Sequence, residues 1–78
     1  MTDTTASKRL NLAVTYFRMP DHDAHIQDII QNLNRALEID PNFYRATLAL
    51  GIVYDMLGDK DKAKYYHDCA DAILNQSQ

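Results

Sequence analysis

Three helix-breaking points divide this chain of 78 residues, at Met19-Pro20-Asp21, Asp40-Pro41-Asn42 and Gly58-Asp59. Proline lacks the amide hydrogen a helix interior needs and drives the preceding residue out of the α region. Glycine past a helix end supplies a left-handed cap. Between the breaks the apolar residues recur at the helical period. Leu10, Ala13, Val14 and Phe17 form one stripe, and Ile26, Ile29, Ile30, Leu33 and Leu37 a second. Ala46, Leu50, Val53, Tyr54 and Leu57 form a third, and Ala63, Tyr66, Ala70, Ile73 and Leu74 a fourth. No segment alternates as a strand would. The pattern predicts an all-α chain of four antiparallel helices in two hairpins.

Composition narrows the function classes. A hydrophobic share of 46% with 24% charged residues is that of a globular domain, not a disordered chain. The net charge of −3 and scattered basic residues argue against a nucleic-acid partner, which requires a basic face. The single Cys69 has no internal disulfide partner. Lys8-Arg9 before Leu10–Phe17 has the outline of a signal peptide, but Asn11, Thr15 and Arg18 interrupt the apolar run and no small-residue cleavage site follows. No run is long enough to span a bilayer. The expectation is a cytoplasmic, unprocessed chain that does not insert into a membrane.

The third predicted helix carries a second apolar line, Leu48 and Ile52 with Met56 beside them. A helix apolar on two sides is either sandwiched between neighbours or offers one side to a partner.

From Ala36 to Asn75 the chain resembles the tetratricopeptide repeat, a helix–turn–helix unit of about 34 residues with a W-x₂-L-G-x₂-Y…A-x₃-F pattern. Thr47-x₂-Leu50-Gly51-x₂-Tyr54 matches except at its first position, and Ala63, His67 and Ala70 fall where the family has Ala, an aromatic and Ala. Ala36-Leu37-Glu38-Ile39-Asp40-Pro41-Asn42 resembles the end of one repeat and the entry to the next. One period upstream, Ile29, Leu33 and Ala36 match, but Pro20 stands where the tyrosine belongs. The resemblance implies a short α-solenoid: a flexible start over 1–8, a domain over 9–75 and a tail over 76–78. Within the domain it implies a degenerate repeat over 9–41 and a well-matched one over 42–75. Lys60, Lys64, His67 and Asp71 form a polar edge that ends the array, with His67 and Asp71 spaced to pair.

The family has no chemistry of its own, so the resemblance implies a non-enzymatic adaptor or assembly subunit without cofactors. Its ligands lie in a groove lined by the first helix of each repeat. The positions that map there are Asn11, Val14 and Arg18, then Arg45, Leu48, Ile52 and Asp55. The family's clamp for a C-terminal carboxylate uses lysine and asparagines, where this chain has Val14, Arg18 and Ala49. That substitution disfavours chaperone tails and leaves an apolar line flanked by Arg18 and Arg45, suited to an apolar helix or extended segment with an acidic residue. The alternatives are a homo-oligomer that buries this line between copies and a flexible N-terminus folded over it.

Tyr65, Cys69 and Ala72 lie off the main stripe of the fourth helix and mark a second contact surface. Asp21-His22-Asp23-Ala24-His25 is the one cluster with metal-ligand spacing, through His22 and His25. Its simpler reading is a set of acidic residues that cap the second helix and meet its dipole. His67 and Cys69, two apart on a helix, point to different faces and make no nucleophilic pair.

Overall fold

A computed structural model describes residues 4–76. Four α-helices follow one another: α1 over Thr4–Arg18, α2 over Ile26–Ile39, α3 over Tyr44–Leu57 and α4 over Lys60–Gln76. Among the described residues there is no strand. The chain divides into two compact units at Pro41/Asn42, so that α1 pairs with α2 and α3 with α4.

In the first unit α1 starts at Thr4, inside the stretch expected to be flexible, and Ala6 is buried. Ala6, Leu10 and Ala13 recur at spacings of four and three, which places them on one face. Ile26, Ile29, Leu33 and Ala36 form the buried face of α2. Val14, expected in the core stripe, is exposed. Residues 1–3 of the expected flexible start, and Ser77 and Gln78 of the expected tail, lie outside the described residues. Gln76, the remaining residue of that tail, closes α4.

Pro20 ends α1 at Arg18, and the chain then makes a 3₁₀ turn over His22–His25 that runs directly into α2. The expected acidic cap is absent: His25 occupies the N-cap of α2, and neither it nor Asp21 makes a capping side-chain hydrogen bond. Two rings hold the turn instead. Phe17 stacks on His22 at 5.4 Å between centroids, and Tyr16 meets His25 at 4.9 Å. At the other end of α2, Asp40 is extended (φ −133°, ψ 92°), as a residue before proline must be, while its amide still donates to the Ala36 carbonyl at 2.8 Å.

In the second unit α3 ends in a Schellman motif. Gly58 sits at φ 78°, its amide donates to the Asp55 carbonyl at 3.1 Å, and the Asp59 amide donates to Tyr54 at 3.0 Å. One residue on, the Asp59 carboxylate accepts from the Lys62 amide at 3.2 Å and caps the start of α4. Ala46, Thr47, Leu50, Gly51 and Val53 are buried on α3, as are Ala63 and Ala70 on α4. Leu57 and Leu74, expected in these stripes, are about half exposed. Thr47 stands where the repeat pattern has an aromatic. Its buried hydroxyl is satisfied by donating to the Phe43 carbonyl at 3.1 Å, so the position carries no unpaired polar group.

Candidate partner-binding surface

The face of α3 opposite Ala46, Leu50 and Val53 is built by Arg45, Leu48, Ile52 and Asp55. Their spacings of three, four and three align them along one side of a helix. Arg45 is exposed, Leu48 half-buried and Ile52 44% exposed. Met56, one turn beyond Ile52, is 47% exposed and extends the same line. Among the described residues Arg45 has no ion-pair partner. The face therefore offers apolar surface with an unpaired cation at its N-terminal end.

Asp55, at the other end, is engaged within the unit. His67 Nε2 lies 2.8 Å from Asp55 Oδ2. His67 does not pair with Asp71 as the spacing along α4 had suggested; its ring crosses to α3 and covers Gly51. A Cβ on Gly51 would stand 2.9 Å from Cε1, 3.0 Å from Nδ1 and 3.1 Å from Nε2 of that ring. The missing side chain of Gly51 thus makes room for an imidazole that ties α4 to the exposed carboxylate of α3. His67 is therefore not part of a purely solvated edge. Lys64 does lie on that edge, paired with Asp68 at 2.8 Å, and the pairing raises the lysine's pKa.

On α1 the other expected groove residues, Asn11, Val14 and Arg18, are all exposed in the first unit. Leu12 and Met19 are exposed on the same unit and were not expected there. Leu12 lies off the helical stripe of Leu10, Ala13 and Val14, and Met19 stands next to the proline that breaks the helix.

Tyr65, Cys69 and Ala72 follow one another at spacings of four and three on α4, where Tyr65 is 61% exposed, Cys69 half-buried and Ala72 exposed. A hydrogen bond with the Cys69 thiol raises the Tyr65 pKa above its ordinary 10.0. Tyr65 meets the ring of Tyr66 edge-on at 5.0 Å, and Tyr66 stacks on Tyr54 at 5.6 Å with 6° between planes. Lys62 Nζ sits 5.3 Å from the Tyr54 centroid. Burial, then the neighbouring Tyr54, Tyr65 and Cys69, raise the Tyr66 pKa as well. The Tyr54–Tyr66 stack joins α3 to α4, and Tyr65 is the exposed member of the three.

The histidine cluster is not assembled as a chelate. His22 Nε2 lies 3.2 Å from Asp23, and His25 lies 3.5 Å from Asp21 and 3.6 Å from Asp28, so each imidazole has its own carboxylates. Among the described residues no group of three or more His, Cys, Asp or Glu is placed to hold a metal ion. No helix among them is long and apolar enough to cross a membrane.

A family model described as tetratricopeptide repeat matches residues 32–65, from the middle of α2 through α3 into the first half of α4. Compared with the curated proteins and with the solved structures, the chain finds no match in either. The matched stretch is one period of the repeat and holds Thr47, Leu50, Gly51, Tyr54 and Ala63; His67 and Ala70 follow just beyond it. Tetratricopeptide repeats as a family serve protein–protein interaction and are typically non-enzymatic. The match over residues 32–65 supports reading that stretch as a tetratricopeptide repeat.

Proposed function

We propose that the chain is a non-enzymatic adaptor or assembly subunit that binds a partner polypeptide along the outer face of α3. The observation that carries this reading is the two-sided apolar character of that helix. One side holds the fully buried Leu50 and Val53, while Leu48, Ile52 and Met56 form an uninterrupted apolar line on the other. Apolar side chains aligned over two turns of a helix are a docking geometry for an amphipathic helix or an extended segment. Arg45 adds charge selection: an acidic residue on the partner would meet an unpaired guanidinium, whereas Asp55 is already occupied by His67. On the first unit, Asn11, Val14 and Arg18 are the equivalent line of α1, and Tyr65, Cys69 and Ala72 are a second surface on α4.

Partner capture followed by mass spectrometry, run on the wild type, Ile52→Glu and the control Leu74→Glu, tests the reading. Both substitutions place a charge at a half-exposed leucine or isoleucine position on the second unit. A partner lost with Ile52→Glu and retained with Leu74→Glu supports docking on α3. Equal capture by all three contradicts it. Light-scattering mass on the same samples identifies the partner as a second copy where the wild type is larger than a monomer and Ile52→Glu is not.

A further inference from the structure

The first unit carries an open cavity of about 600 Å³ that the reading above does not use, lined by Arg9 of α1 and by Gln31, Asn32, Asn34, Arg35 and Glu38 of α2. Every lining residue is polar, in a chain whose net charge is −3. Arg9 is tethered within the unit. Its Nη1 donates to Asn32 Oδ1 at 3.2 Å, and the Asn32 amide in turn donates to the Asp28 carbonyl at 2.9 Å. This relay through Asn32, anchored on the α2 backbone, places a half-buried guanidinium at the cavity, and among the described residues its other donors make no hydrogen bond or ion pair. Among the described residues Arg9 has no carboxylate partner; Arg35, by contrast, lies 3.3 Å from Glu38.

We propose that this cavity binds a single carboxylate, with Arg9 as its principal ligand and the side-chain amides of Gln31 and Asn34 as supporting donors. A tethered planar guanidinium is suited to the two oxygens of a carboxylate, and holding it in advance lowers the ordering cost of binding. The lining's own charge selects among anions. Arg9 and Arg35 contribute two positive charges and Glu38 one negative, leaving one positive charge to meet one negative charge. A dianionic phosphate would bring its second charge towards Glu38, which favours the carboxylate. Because the cavity is open at the surface, the carboxylate can be that of an acidic side chain on a polypeptide or a free small acid. The proposal concerns α1 and α2 alone, so it stands or falls independently of docking on α3.

The test uses the full chain, labelled for NMR detection of arginine Nε–H and side-chain amide groups. The probes are a capped Gly-Gly-Glu-Gly-Gly peptide, its glutamine counterpart, its phosphoserine counterpart and sodium acetate. The glutamate peptide is expected to shift the Arg9, Gln31 and Asn34 signals saturably and the glutamine peptide not to. Arg9→Gln is expected to weaken binding about tenfold, the loss of one charge-assisted pair. Arg35→Gln, which frees Glu38, is expected to weaken it too and serves should Arg9→Gln unfold. Acetate shifts equal to the peptide's identify free acids as the source of the carboxylate; weaker acetate shifts identify the polypeptide. Absent or unsaturable shifts, equal binding of the glutamine peptide, tighter binding of the phosphoserine peptide, or unchanged binding in both variants would overturn the proposal.

Discussion

Gly51 and His67 show how one residue's missing side chain fixes another's position. The imidazole rests where a Cβ would be and reaches Asp55 from there. Alanine is favoured over glycine inside a helix by about 1 kcal/mol, but in the wild type that gain is offset by displacing the ring and losing its bond to Asp55. Gly51→Ala should therefore raise stability by about 0.5–1 kcal/mol in a His67→Ala background and by clearly less, or not at all, in the wild type. Urea unfolding of the four proteins measures the difference, and an equal gain in both backgrounds would contradict the contact. Tyr66 sets a second expectation. Its pKa is raised above 10.0 in the folded chain, so the folded state holds the phenol proton more tightly than the unfolded state does. Stability is then complete below pH 10 and falls as pH rises through the raised pKa. The thermal midpoint should drop above pH 10, and Tyr66→Phe should reduce that drop. The sequence did not reveal where His67 points, because its partner lies twelve residues away across a turn while Asp71 stands nearer along α4.

Helix ends were legible where proline or glycine acts on its own backbone, and obscure where they depend on packing. Pro20, Pro41 and Gly58 each stop a helix within two residues of where they stand. The start of α1 was missed because Thr4, Thr5, Ser7 and Lys8 carry no apolar stripe, and burial of a single alanine decides the matter. Ala6→Glu, which places a charge at a buried position, should destabilise the first unit markedly, whereas Lys8→Glu at an exposed one should be close to neutral. Circular dichroism melts of the two variants separate these outcomes. The cap of α2 was misread for a related reason. An aspartate before a helix is a strong capping signal, but a 3₁₀ turn carried on the rings of Phe17 and Tyr16 separates Asp21 from α2. At the end of α3, Gly58→Ala should cost about 1 kcal/mol through its left-handed backbone alone. No atom would crowd the added methyl, so the urea midpoint should fall without a change in m value.

At the scale of the whole chain, two units divided at Pro41/Asn42 each hold a helical pair, and the repeat match spans the division between them. The outer line of α3 was readable because Leu48 and Ile52 fall out of phase with Leu50 and Val53, and no single buried face can hold both sets. The cavity on α1 and α2 was not readable. It is made from arginine and amide groups that look individually like ordinary surface residues, and only the fold brings Arg9 beside Asn32. The most direct test of docking is site-specific photo-crosslinking in cells, with the photoreactive group at position 52 of α3 or at the exposed position 27 of α2. A discrete adduct formed from position 52 and not from position 27 is the predicted result. No adduct at 52, or the same adducts from both positions, would contradict the assignment of this face as the place where a partner binds.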